Sequence, residues 1–164
     1  MGTLTLTGNG QTGFTNSLQI GAAIAPAADV VEMALSTGAL DCDNTAYVAV
    51  ATTAALTLPS GDGSKAVNLC LRDRAGNRSL LVSSSITLDQ TPPAAAAHTL
   101  AINGGSAFAT SASSTLTINF AADAVERAIG NDGLDCSSAT YTALPATSPQ
   151  TVGAFALSSG DGVK

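Results

Sequence analysis

The chain repeats itself in tandem, and this limits its possible folds more than any single residue does. Leu40-Asp41-Cys42 recurs as Leu134-Asp135-Cys136, an offset of 94 residues. The same offset carries Asn9-Gly10 onto Asn103-Gly104, Phe14 onto Phe108, and Ala27-Ala28-Asp29 onto Ala121-Ala122-Asp123. It also carries Val31-Glu32 onto Val125-Glu126 and Tyr47 onto Tyr141. Farther on, Ser60-Gly61-Asp62-Gly63 and Lys65 recur as Ser159-Gly160-Asp161-Gly162 and Lys164, now at an offset of 99. The second copy therefore gains five residues between Tyr141 and Leu157. Matches in this order mark a duplicated unit, and one fold has to serve both copies.

The first copy reads as strands. Thr3–Thr7 alternates Thr with Leu, and Ser17–Ile24 puts Leu18, Ile20, Ala22 and Ile24 on one face. Val31, Met33 and Leu35 form the next alternation, followed by Tyr47–Val50 and by Leu56 with Leu58. Val67, Leu69 and Leu71 come next, and Leu80–Leu88 closes the series with Ile86 and Leu88 on one face. Gly, Asn, Asp and Pro turn residues separate these runs. Seven short runs in one copy predict an antiparallel β-sandwich, with a barrel as the alternative.

Composition agrees with strands rather than helices. Charged residues make up 11%, and Thr, Ser, Gly and Ala dominate the remainder. Helix-forming Lys, Glu, Gln and Arg are scarce, whereas Thr and Val suit pleated surfaces. The net charge of −6 argues against nucleic acid and against an anionic membrane surface. No apolar run is long enough to span a bilayer, and Met1-Gly2-Thr3-Leu4 does not begin a signal peptide. An export signal has room to lie upstream of this segment.

One stretch is specific. Ser60-Gly61-Asp62-Gly63-Ser64-Lys65-Ala66-Val67 runs on through Arg72-Asp73-Arg74-Ala75-Gly76-Asn77, and Ile86-Thr87-Leu88-Asp89-Gln90-Thr91-Pro92-Pro93 follows. This resembles the GDGxKxV, RDxAGN and ITLDxTPP motifs of bacterial immunoglobulin-like tandem repeats in large exported surface proteins. The resemblance covers the first copy and what exists of the second. It implies an all-β chain of tandem immunoglobulin-like antiparallel sandwiches. Two departures stand out: there is no tryptophan, and the cysteines are not a general feature of such repeats.

The motif residues have structural roles. Asp73 through Gly76 and Asn77 spell a tight hairpin, in which Asp caps the turn and Gly takes positive φ. Gly61-Asp62-Gly63 is a second turn. Pro92 and Pro93 end the last strand, since they cannot donate ladder hydrogen bonds. The expected organisation is a first repeat over 1–93, an Ala/Pro linker over 94–98, and a second repeat over 99–164. That second repeat is expected to lack the last two strands, because Lys164 aligns with Lys65. Either the chain is a fragment, or strands donated by another subunit complete the copy.

The three cysteines follow the same logic. Cys42 and Cys136 are equivalent, and the equivalent of Cys70 falls beyond Lys164. With Val67, Leu69 and Leu71 facing in, Cys70 faces out beside the loop carrying Cys42. A Cys42–Cys70 bridge would strap that loop to the outside of the sheet and imply an oxidising, extracellular setting. Two unpaired thiols are the alternative. Zinc is disfavoured by ligand number and spacing.

No catalytic constellation emerges. His98 reads as a solvated linker residue, and Glu32 and Glu126 as solvent-facing carboxylates on strands whose Val31 and Val125 face in. Gly8-Asn9-Gly10 and Gly104-Gly105 read as turns rather than a phosphate loop. Calcium is the one faint ligand, with Asp29, Asp62, Asp73 and Asp89 as candidates on turns and strand ends. No other cofactor is expected. The sequence points to a non-catalytic structural repeat of an exported bacterial surface stalk or fibre. Its partners would be neighbouring repeats or other copies in the fibre. The alternatives are an adhesin or glycan-binding module, or a phage or appendage decoration domain.

Overall fold

The computed structural model describes residues 2–131 and 133–163. Lys164, the repeat counterpart of Lys65, lies outside the described residues. The chain is all-β, and it divides into two compact units, Met1–Thr91 and Pro92–Lys164.

The first unit contains eight strands: β1 (Thr3–Thr7), β2 (Phe14–Thr15), β3 (Gln19–Ala25), β4 (Val30–Ser36), β5 (Val48–Ala49), β6 (Thr53–Thr57), β7 (Gly63–Asp73) and β8 (Val82–Leu88). One sheet has the order β1-β3-β6 and the other β2-β8-β7-β4-β5. All pairings are antiparallel except β2 with β8. Alternation determines which side chains meet between the sheets. Leu4, Leu6, Ile20, Ala22 and Ile24 of the first sheet pack with Met33, Val67, Leu69, Leu71, Ile86 and Leu88 of the second. The arrangement is sandwich-like, with a core of aliphatic residues and no aromatic ring in it.

Two details differ from the sequence reading. Strand β2 was not expected: two residues are too few to show a period, and its parallel partner β8 lies far away in sequence. The face assignment in β4 also changes. The register shifts between Val30 and Glu32, so Val30 packs on the core where Val31 was expected to do so. A bulge of this kind changes which side chains point inward.

The second unit contains β9 (Thr99–Ile102), β10 (Ser113–Asn119), β11 (Glu126–Arg127), β12 (Thr142–Ala143) and β13 (Gln150–Ala156). A three-stranded sheet has the order β13-β10-β9, and β11 pairs with β12. Strand β10 is β3 displaced by 94 residues, and the Glu126↔Ala143 pair is Glu32↔Ala49 displaced by the same number. Four of the five inserted residues fall between β12 and β13, and the register shift opposite Ser114–Leu116 takes up the fifth within β13. Before the second unit's first strand, Ala95–Ala97 forms a 3-10 turn.

The core of the second unit is much thinner. Among its described residues only Leu116 and Ser114 are buried. Val125, expected to face in, is 72% exposed. Arg127 stands at the register position of the buried Met33, and its Nε donates to Gln150 Oε1. His98 also differs from its reading: it is partly buried, and its Nε2 is shielded without a hydrogen-bond partner.

Leu69 is fully buried at the centre of the first unit's core. Leu69→Ala is expected to destabilise that unit by about 2–5 kcal/mol, through lost burial and a residual cavity. Urea unfolding followed by circular dichroism measures it, and a change well below that range would place Leu69 outside the core.

Candidate functional site

The most organised surface of the molecule is the outer face of β7 with the loop that crosses it. Residues 68, 70 and 72 alternate outward, and each one holds that loop. Asn68 Nδ2 donates to the Gly38 carbonyl at 2.8 Å. Cys70 is bonded to Cys42, with Cα atoms 5.5 Å apart. Arg72 Nε donates to Glu32 Oε2 at 2.6 Å, and its guanidinium lies 4.6 Å from the centre of the Tyr47 ring. The Tyr47 hydroxyl in turn donates to the Cys42 carbonyl at 2.9 Å. Cys70 lies on the outward face, yet the loop closes over it completely and it is fully buried.

The loop is pre-shaped by its own sequence. Asp41 Oδ1 accepts from the Asp43 N–H at 2.9 Å, and Asp41 Oδ2 accepts from Asn44 Nδ2 at 2.7 Å. The Asn44 side chain and the Asp43 N–H hold the Asp41 carboxyl below its ordinary value. Such a turn presents Cys42 in one direction before any bridge forms. Closing the segment between residues 28 apart contributes about 3.5 kcal/mol in the chain-entropy picture. The half-exposed Glu32–Arg72 pair adds only about 0.2–1 kcal/mol. The bridge therefore dominates this surface.

Glu32, read as a solvent-facing carboxylate, is partly exposed on the outward face and also pairs with Arg72 of the neighbouring strand. Asp41, Tyr47 and Arg72 were missed as a group. Their signal was present: Arg72 is two residues from Cys70 and so on the same face, while Asp41 and Tyr47 both recur with the cysteine.

The residues considered for calcium lie at two ends of the first unit. Asp62 and Asp89 share one end, where both accept hydrogen bonds from Thr91. Asp73 pairs across the sheet with Val30, the residue after Asp29, at the other end. Asp62 also accepts from the Gln90 N–H at 2.8 Å, and Asp73 accepts from the Asn77 N–H and Nδ2 at 2.8 Å. Among the described residues, no three His, Cys, Asp or Glu side chains converge. Gly61, Gly63 and Gly76 have φ of 87°, 114° and 91°, as their turns require. Pro92 and Pro93 lie exposed beyond the end of β8.

The second unit rebuilds the loop. Asp135 Oδ1 accepts from the Ser137 N–H at 2.9 Å, and the Tyr141 hydroxyl donates to the Cys136 carbonyl at 2.9 Å. Cys136 itself is a free, exposed cysteine.

No protein-family model, no curated protein and no solved structure matches this chain. Among the described residues, no helix is long and apolar enough to cross a membrane.

The Asp73 carboxyl is held below its ordinary value of 3.8 by the Asn77 side chain, and next by the Asn77 N–H. Its contribution to stability is complete above that ordinary value and is lost as pH falls through the lower folded value. Asp73→Asn should therefore flatten the acid limb of the stability curve below the ordinary carboxylate range. Thermal melts across pH test this. An unchanged acid limb would show that the hairpin cap does not respond to protonation.

Proposed function

We propose that the chain is a non-catalytic structural module: two immunoglobulin-like β-sandwich repeats from a stalk or fibre on an exported bacterial surface protein. The repetition of geometry carries this reading. Both units build a three-stranded sheet of equivalent strand order, and both tie a tyrosine hydroxyl to a cysteine carbonyl in the crossing loop. Repeating a shape rather than a pocket suits a part whose task is length and stiffness. The Cys42–Cys70 bridge suits an oxidising, extracellular setting. Low charge and small side chains allow neighbouring repeats, or other copies in a fibre, to pack closely. The mechanism is mechanical: strand ladders resist extension, and the bridge keeps one loop from paying out under load.

One observation favours a second reading, an adhesin-type binding module. Phe14 is 67% exposed, beside the turn glycines Gly10 and Gly13.

Single-molecule extension of the full chain tests the mechanical role. A discrete unfolding event is expected from the first unit. Reduction of the bridge should then lengthen the released chain by about 100 Å, at ~3.5 Å for each residue freed between Cys42 and Cys70. Featureless extension at low force, before and after reduction, would remove the mechanical role and leave the binding reading.

A further inference from the structure

Strand β6 closes one side of the first unit's three-stranded sheet, and among the described residues no strand pairs with its outer edge. Bond alternation fixes which groups lie there. The Ile24 N–H donates to the Thr52 carbonyl and the Leu58 N–H to the Leu18 carbonyl, both at 2.8 Å. Even-numbered residues of this run therefore bond to β3. The N–H and C=O groups of Thr53, Ala55 and Thr57 point the other way, to the free edge. These three residues are exposed, whereas Ala54, Leu56 and Leu58 pack on the core.

Edges of this kind are normally protected by a charge, a proline or a bulge. Strand β6 has none of these, and the strands β1, β3 and β6 contain no charged residue. The second unit protects the same edge. There Gly153 and Ala154 together take the place of Ala55 opposite a single residue, Thr115, and Ala154 has φ 56°. Such a bulge breaks the run of outward groups. One copy of the repeat blunts the edge, and the other keeps it straight.

The straight edge is complementary to itself. Its outward residues read Thr53, Ala55, Thr57, the same in both directions. Two such strands laid antiparallel about a two-fold axis at Ala55 put Thr53 opposite Thr57 and Ala55 opposite Ala55. Every outward residue then meets an outward residue, and each pair exchanges two hydrogen bonds. The side chains at this edge are small, and facing threonines form favourable cross-strand pairs. Pro59 ends the ladder, since it has no N–H. The opposite edge, β1, offers a shorter ladder. Thr3, Thr5 and Thr7 bond to β3, which leaves only Leu4 and Leu6 with outward backbone groups.

We propose that a second copy of this chain docks here, β6 against β6, so that the two three-stranded sheets become one continuous sheet. A two-fold contact of this kind closes on itself and sets two chains side by side. It stands whether or not the module belongs to a stalk. The edge is short, so association is weak, with half-dimerisation at about 0.1 mM.

Sedimentation equilibrium of the full chain tests this from about 10 µM to about 1 mM. The chain carries Cys136→Ser, which removes the free exposed thiol and any dimer joined through it. A monomer–dimer equilibrium is the expected result. Ala55→Pro removes an outward N–H without touching the β3 ladder, and should weaken the dimer about tenfold or more. Ala55→Lys should do the same, and serves if the proline variant does not fold. Thr5→Lys, on β1, should leave the dimer unchanged. Hydrogen exchange followed by NMR should show the Thr53, Ala55 and Thr57 amides slowing as concentration rises, while Ala54 and Leu56 change far less. A monomer throughout the range would overturn the assignment. So would a dimer that persists in both Ala55 variants, one lost in Thr5→Lys but kept in them, or one without slowing at the three outward amides.

Discussion

Strand β7 is hydrogen-bonded to β8 over Gly63–Leu69 and to β4 over Asn68–Asp73, and its stretch from Val67 to Leu71 is covered on both faces. Its inward residues Val67, Leu69 and Leu71 close the core against the other sheet. Its outward residues Asn68, Cys70 and Arg72 hold the crossing loop through the Gly38 carbonyl, a disulfide and the Tyr47 ring. The middle of a central strand is where a small aliphatic core gains most, because ladder bonds are shielded there and side chains are in contact on both faces. Without aromatic rings in that core, strand pairing and the bridge carry a larger share of the stability.

The second unit shows what depends on this strand. Its first sheet forms and its loop keeps its hydrogen bonds, since these are local to β9–β13 and to the turn at Asp135. What it lacks is burial. Strand β11 is two residues long where β4 is seven, and Val125 and Phe108 lie open to solvent. Turn chemistry and strand pairing therefore survive where apolar burial is thin, as expected when backbone hydrogen bonds specify shape and apolar burial supplies most of the free energy.

Much of this was legible in the residues. The repeat offset places β10 and the β11–β12 pair, and period-two alternation places β1, β3 and β7. The alternation of Val67, Leu69 and Leu71 also puts Cys70 on the outer face, where the bridge is found. Other features were beyond reach for physical reasons. A two-residue strand such as β2 has no period, and its parallel pairing spans more than seventy residues of chain. The bulge in β4 depends on how β7 lies against it, so Val30 and Val31 could not be told apart by pattern. The Arg72–Glu32 pair needed the β4–β7 register, which alternation alone does not fix. In the second unit the motif match continued while the core did not, because a motif records turns and a core needs every layer present.

Hydrogen–deuterium exchange on the full chain tests most directly whether β7 is what makes a unit solid. The two copies are compared at equivalent positions, residues 30–36 against residues 124–130. Slow exchange in the first segment and exchange faster by orders of magnitude in the second is the predicted result, because only the first is paired on both edges. Equal protection in the two segments would contradict it and show that a unit is rigid without the β7 strand.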